Sequence, residues 1–217
     1  MNKHNQATCL YVAADSLCLI RLAASSVIGN YVENTPREER SLKAGVVVAA
    51  VWSTDAVDGW LSRKGDRIAQ EAIDEGIAAP NPGTRLGKLA HLAGKIAANP
   101  VLRRNLDNGT DKRLTTKVLK AQADTGEISS RYWKQRLFRD VTVSAIRFGG
   151  ERNGVNTAAL SMGKTKTELD AAQQIGAVSG ILSPVVSEVM ASTANNLSNV
   201  SGLDYLIKFR PKEPVNV

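Results

Sequence analysis

The chain has 217 residues, enough for one domain of ordinary size, and sets 28 Lys and Arg against 21 Asp and Glu for a formal net charge of +7. With 43% hydrophobic residues it is not a disordered tail, and with two cysteines and two histidines it builds neither a disulfide-dense scaffold nor a Cys-rich or His-rich metal module. The basic balance asks for an anionic partner, which nucleic acid, lipid headgroups and phosphorylated metabolites all satisfy.

Helical spacing dominates from end to end, and Val46-Val47-Val48 is the only strand-like cluster. The expected fold class is therefore all-α, a bundle of about four to six helices in a single domain over 1–217. The first helix falls in an apolar stretch over 7–32 that carries Asp15 and Arg21. A loop through Thr35-Pro36 leads into a charged helix start and then a second apolar stretch over 44–61, which holds Asp55 and Asp58. From Lys64 the chain turns polar and ends in the breaker Ala79-Pro80-Asn81-Pro82-Gly83. Asn99-Pro100 closes the next helix, and 103–131 is a charge-mixed stretch with Asn108-Gly109 as a turn. A helix beginning near Tyr132 ends at Gly149-Gly150, and 154–167 reads as a flexible connection bearing lysines. A third apolar stretch, 169–194, holds Asp170, Gln173, Gln174 and Glu188, and the residues over 195–217 read as a polar, peripheral tail.

A spanning helix needs about 20 mostly apolar residues, and a charge at its centre costs about 2.5–3.5 kcal/mol or more. Each apolar stretch is marginal if it faces lipid and reasonable if its charges face inward onto a polar cavity. The mean hydropathy of −0.18 is low for a chain that crosses a bilayer many times, so hydropathy alone leaves a soluble helical domain equally open. The N-terminus is a poor secretory signal, because Asp15 breaks its apolar run. A membrane form would be anchored by its own helices.

The most informative motif is Thr54-Asp55-Ala56-Val57-Asp58-Gly59-Trp60-Leu61-Ser62-Arg63. Asp55 and Asp58 are three apart and share a helix face, and Gly59 admits the close approach of another group. Two ionised carboxylates in an apolar helix repel and are costly to bury, which a divalent cation between them would offset. Arg63, just over one turn on, is placed for a phosphate bound to that cation. The plainer alternative is a helix end with solvated acids and a capping Arg.

Asp55, Asp58, Gly59, Ser62 and Arg63 resemble the first half of the signature of the CDP-alcohol phosphatidyltransferase family, with Ser62 where the family has Ala. Thr84-Arg85-Leu86-Gly87 is similar to the family's second glycine with its lead-in, and Cys18-Leu19-Ile20-Arg21-Leu22 to its first-helix Thr-Leu-x-Arg signal. Arg139-Asp140-Val141, Ala145-Ile146-Arg147 and Gly163-Lys164-Thr165-Lys166-Thr167 follow in the order seen in the phosphatidylglycerophosphate synthase branch. The resemblance implies a multi-pass protein of the cell membrane with its active site facing the cytoplasm. It implies transfer of a phosphatidyl group from CDP-diacylglycerol to an alcohol acceptor, here glycerol 3-phosphate, with release of CMP. Mg²⁺ or Mn²⁺ would be held by Asp55 and Asp58. Thr54, Gly59, Arg63 and Gly87 would meet the nucleotide, and Arg139, Arg147, Lys164 and Lys166 the acceptor's phosphate. Membrane lipid and a second copy of the chain are the further partners it implies.

The signature continues Gly-x-x-x-Asp-x-x-x-Asp, its last aspartate acting as base, whereas Gly87 is followed at those positions by His91 and Lys95. His91 is the replacement base expected here, since an imidazole titrates near working pH. The long separation of Arg63 from Gly87 makes 64–83 an expected insertion. An inactive homologue that binds CDP-lipid or anionic headgroups keeps the same fold. A basic helical nucleic-acid binder, using Arg103-Arg104, Lys112-Arg113, Lys117, Lys120 and 131–139, is the alternative of another class, but it leaves Asp55 and Asp58 unexplained and shows no binding motif. Ser161-Met162-Gly163-Lys164-Thr165 resembles the end of a phosphate-binding loop, but Ala158 stands at its earlier glycine and no strand precedes it.

Overall fold

The computed structural model describes residues 2–77, 100–152 and 161–208, with side chains described except at 100–108, 147–152, 161–164 and 204–208. Among the described residues every regular element is helical, in agreement with an all-α bundle. The elements are α1 (Lys3–Asn34), a 3-10 turn (Arg37–Glu39), α2 (Leu42–Asp74), α3 (Pro100–Asp124), α4 (Arg131–Arg152), α5 (Ser161–Val178) and α6 (Pro184–Lys208).

Several helices run further than local signals suggest. α2 continues through 64–74, so the first half of the expected insertion is helix, while 78–83 lies outside the described residues. Pro100 opens α3, where a proline costs no hydrogen bond. Asn108-Gly109 is not a turn, because α3 passes straight through it. Gly149-Gly150 does not end α4, and 161–167 of the expected connection is the start of α5. The third apolar stretch is two helices rather than one. The chain breaks at Gly180, whose φ of +74° a side chain would strain, and restarts at Pro184. The expected peripheral tail is helical to Lys208, with Asn195, Ser198 and Ser201 buried.

The chain divides into two compact units, Met1–Val27 with Ala49–Leu114, and Ile28–Val48 with Thr115–Val217. In the first unit, Ala7, Tyr11, Ala14, Cys18, Arg21 and Ser25 form the buried face of α1, at alternating spacings of four and three. Val51, Asp58, Gly65 and Ala72 do the same on α2 at intervals of seven. Tyr11 packs on Gly65, where a Cβ would stand 2.6 Å from its ring, and its hydroxyl donates to Asp66 Oδ1 at 2.9 Å. Gly65→Val should therefore lower the thermal midpoint by an amount corresponding to about 1–3 kcal/mol, the range for overpacking. An unchanged midpoint would show that the two helices slide apart freely there.

The second unit packs α6 against α4 and α5. One apolar cluster joins Leu119, Ile128, Tyr132 and Ala191. Val32, Val48, Val118, Val143 and Val178 are buried as well, and polar side chains share this interior. Gln173 donates to Gln122 Oε1 at 2.8 Å, Gln174 to Thr115 Oγ1 at 3.1 Å, and Asn195 to Gln135 Oε1 at 2.6 Å. Arg40 is buried on Glu127 and also donates to the carbonyls of Val32, Thr35 and Ala177. Close approach relies on small residues, as where a Cβ on Gly45 would stand 2.7 Å from Ser179 Cβ.

In both units large apolar side chains face outward. Val12, Leu19, Ile20 and Val27 form one stripe on α1, and Val185, Val189, Val200 and Leu203 one stripe on α6, each opposite that helix's buried face. Phe138 is 77% exposed, whereas Arg21 and Arg136 are the largest fully buried side chains among those described. A water-soluble domain shows the reverse preference. One described helix, α1, is long and apolar enough to cross a membrane.

Candidate functional site

In the first unit, the heptad-like register of α1 and α2 turns Arg21 and Asp58 toward each other. The Arg21 guanidinium, fully buried, donates through Nη2 to Asp58 Oδ2 and through Nη1 to Asp55 Oδ1 at 3.3 Å. Its Nε meets Thr54 Oγ1 at 3.3 Å, and Cys18 Sγ lies 3.5 Å from Asp58 Oδ2. Arg21 Nη1 also donates to Asp111 of α3. Three carboxylates from two helices thus converge on one guanidinium supplied by a third.

Gly59 follows Asp58 at the exposed end of this cluster. Its missing side chain leaves room that the Arg63 guanidinium covers, 3.2 Å from where a Cβ would stand. Arg63 makes no ion pair among the described residues and is exposed. Of the residues expected at the nucleotide, Thr54, Gly59 and Arg63 are therefore together on one stretch of α2, while Gly87 lies outside the described residues, as do His91 and Lys95.

Asp111 was not among the residues that sequence reasoning selected. The signal was present: Asp107-x-x-x-Asp111 has the spacing sought after Gly87, but the Asn108-Gly109 pair between them reads as a turn and hides the helix face they share. On continuous α3 the two are four apart, and Asp111 reaches the cluster.

The donor set suits a hard divalent cation in kind, being carboxylate oxygens from two helices. The side chains of Asp55 and Asp111 are 40% and 23% exposed, so ions reach them from solvent. Among the described residues no group of three or more His, Cys, Asp or Glu closes around a common point tightly enough to hold an ion. The carboxylates are gathered on Arg21 instead.

The second unit holds the basic cluster. Arg136 donates through Nη2 to Asp170 Oδ1 at 2.6 Å, and Lys166 Nζ lies 3.3 Å from Asp170 Oδ2. Arg139, one turn from Arg136, bonds Asp140 Oδ1 at 2.8 Å, the Ser198 carbonyl at 3.0 Å and Ser201 Oγ at 2.7 Å. Arg136 is 1% exposed, yet its Nε and Nη1 have no hydrogen-bond partner among the described residues. Buried guanidinium donors are costly to leave unmet, so the cluster is suited to an added anion. Of the residues expected at the acceptor's phosphate, Lys166 and Arg139 flank this centre, and Arg136 joins them. The side chains of Arg147 on α4 and Lys164 on α5 lie outside the described ones.

Comparison with protein-family models, with curated protein sequences and with solved structures finds no match for this chain.

Proposed function

We propose that the chain is a membrane-embedded transferase of the CDP-alcohol phosphatidyltransferase kind, moving a phosphatidyl group from CDP-diacylglycerol to glycerol 3-phosphate. The observation that carries this reading is the convergence of Asp55, Asp58 and Asp111 beside the Gly59–Arg63 opening. The spacing of Asp107 and Asp111 also supplies the acidic pair that His91 and Lys95 lack, which favours an active enzyme over an inactive homologue. Arg136 and Arg139 are turned into the unit and Lys120 is paired to Asp124, which counts against a nucleic-acid surface.

In the reaction, the acceptor's hydroxyl oxygen bonds to the phosphorus that carries the diacylglycerol. The bond from that phosphorus to the oxygen bridging to CMP breaks, and its electron pair leaves with CMP. Asp111 takes the hydroxyl proton in place of His91. Arg63, lying over Gly59, meets the diphosphate, and Thr54 shares that stretch of helix. Within the second unit, Arg136, Arg139 and Lys166 form the cluster suited to a phosphate group. Mg²⁺ or Mn²⁺ held by Asp55 and Asp58 would neutralise charge on the diphosphate. Catalysis of this kind rests on positioning and charge neutralisation.

The outward apolar stripes and polar interior support a multi-pass arrangement in the cell membrane, with inward-facing charges as intramembrane ionisable residues generally have. Two results are expected. The chain sediments with membranes and needs detergent for release, whereas release by high salt alone would contradict insertion. Arg136→Gln raises the KM for glycerol 3-phosphate about tenfold or more, the loss of a charged hydrogen bond, with the KM for CDP-diacylglycerol unchanged. An equal rise in both would remove Arg136 from the acceptor site.

A further inference from the structure

Arg21 bonds all three of Asp55, Asp58 and Asp111. It reaches them from α1, while the carboxylates stand on α2 and α3. Its five donors form a rigid planar fork, so one guanidinium satisfies several carboxylates at once in a way that an ammonium does not. Two of them, Asp55 and Asp58, are also the hard oxygen donors that a divalent cation would take. Two positive groups cannot share those oxygens closely without strong repulsion.

We infer that Arg21 is a tethered counter-ion that competes with the divalent cation: it holds the three carboxylates together in the ion-free state and yields them when the ion binds. The inference rests on the reading of Asp55 and Asp58 as cation ligands. It gives Arg21 a positioning role. It keeps like charges from splaying α2 from α3 within the first unit, and it sets how tightly the ion is held. A guanidinium that only braced the fold would have no effect of this sign on ion affinity.

The test is Mn²⁺ binding by the detergent-purified full chain, followed by electron paramagnetic resonance, in the wild type, Arg21→Gln and Arg21→Lys. Removing the competing charge should tighten Mn²⁺ binding by Arg21→Gln about tenfold or more. Arg21→Lys, which keeps the charge and loses the fork, should fall between it and the wild type. The thermal midpoint of Arg21→Gln should be depressed without the ion and rise with Mg²⁺ by more than that of the wild type. Equal or weaker Mn²⁺ binding in both variants would overturn the inference while leaving the cation site standing. No Mn²⁺ binding by any of the three proteins would overturn the cation site and the inference with it. If Arg21→Gln does not fold even in Mg²⁺, Arg21→Lys decides alone, and an affinity equal to the wild type's would overturn the proposal.

Discussion

Asp111→Asn should lower kcat for phosphatidyl transfer by about 10²-fold or more, the usual worth of a positioned general base. The expectation follows from placement: Asp111 sits on α3, on the same guanidinium as Asp58 and Asp55, with its side chain partly open to solvent. Asparagine keeps the size and one hydrogen-bond acceptor, so Arg21 retains a partner there and the fold should tolerate the change. His91→Ala is the comparison. A loss at His91 as large as that at Asp111, with Asp111→Asn nearly fully active, would return the proton to the imidazole.

Arg40→Met should destabilise the second unit by about 3–5 kcal/mol, the cost of leaving a buried partner charge uncompensated. Arg40 has a fully buried side chain and Glu127 is nearly as deep. Besides that pair, Arg40 satisfies the carbonyls of Val32, Thr35 and Ala177 at 2.8–3.1 Å, near the C-terminal ends of α1 and α5. The Ala177 carbonyl also accepts from the Gly180 N–H at 3.1 Å, and the guanidinium adds a side-chain cap at the ends of both helices. Glu127 also accepts from Thr125 Oγ1 at 3.1 Å. The check is the thermal midpoint in detergent, with the double substitution Arg40→Met and Glu127→Leu alongside. Recovery of part of the loss in the double variant would locate it in the stranded Glu127 charge. No recovery would locate it in the lost carbonyl caps.

The helical class was legible in the sequence because period and composition agree along the chain, and Asp55 and Asp58 stood out because two acids in an apolar run need a reason. Local breakers misled where helices have other support. Asn108-Gly109 in α3 and Gly149-Gly150 in α4 are helix-interior pairs that propensity alone would exclude, and continuous neighbouring turns override a penalty of about 1 kcal/mol per glycine. The C-terminal segment misled for a different reason. Asn195, Ser198 and Ser201 read as surface because polar residues usually are, yet they form the buried face of α6 while Val185, Val189, Val200 and Leu203 point out. Arg21 was visible as part of a first-helix signal, but nothing linear in the chain links it to Asp111, ninety positions away. Arg136 was visible only as part of the basic 131–139 stretch, and only the fold shows that two of its nitrogens are buried without partners among the described residues.

The most direct test of the central claim is CMP release by the detergent-purified chain given CDP-diacylglycerol, glycerol 3-phosphate and Mg²⁺, with Asp58→Asn as the control. The account predicts release that requires both the acceptor and the ion and is lost in Asp58→Asn. No release by a folded wild type that still binds CDP-diacylglycerol, or release undiminished in Asp58→Asn, would contradict it.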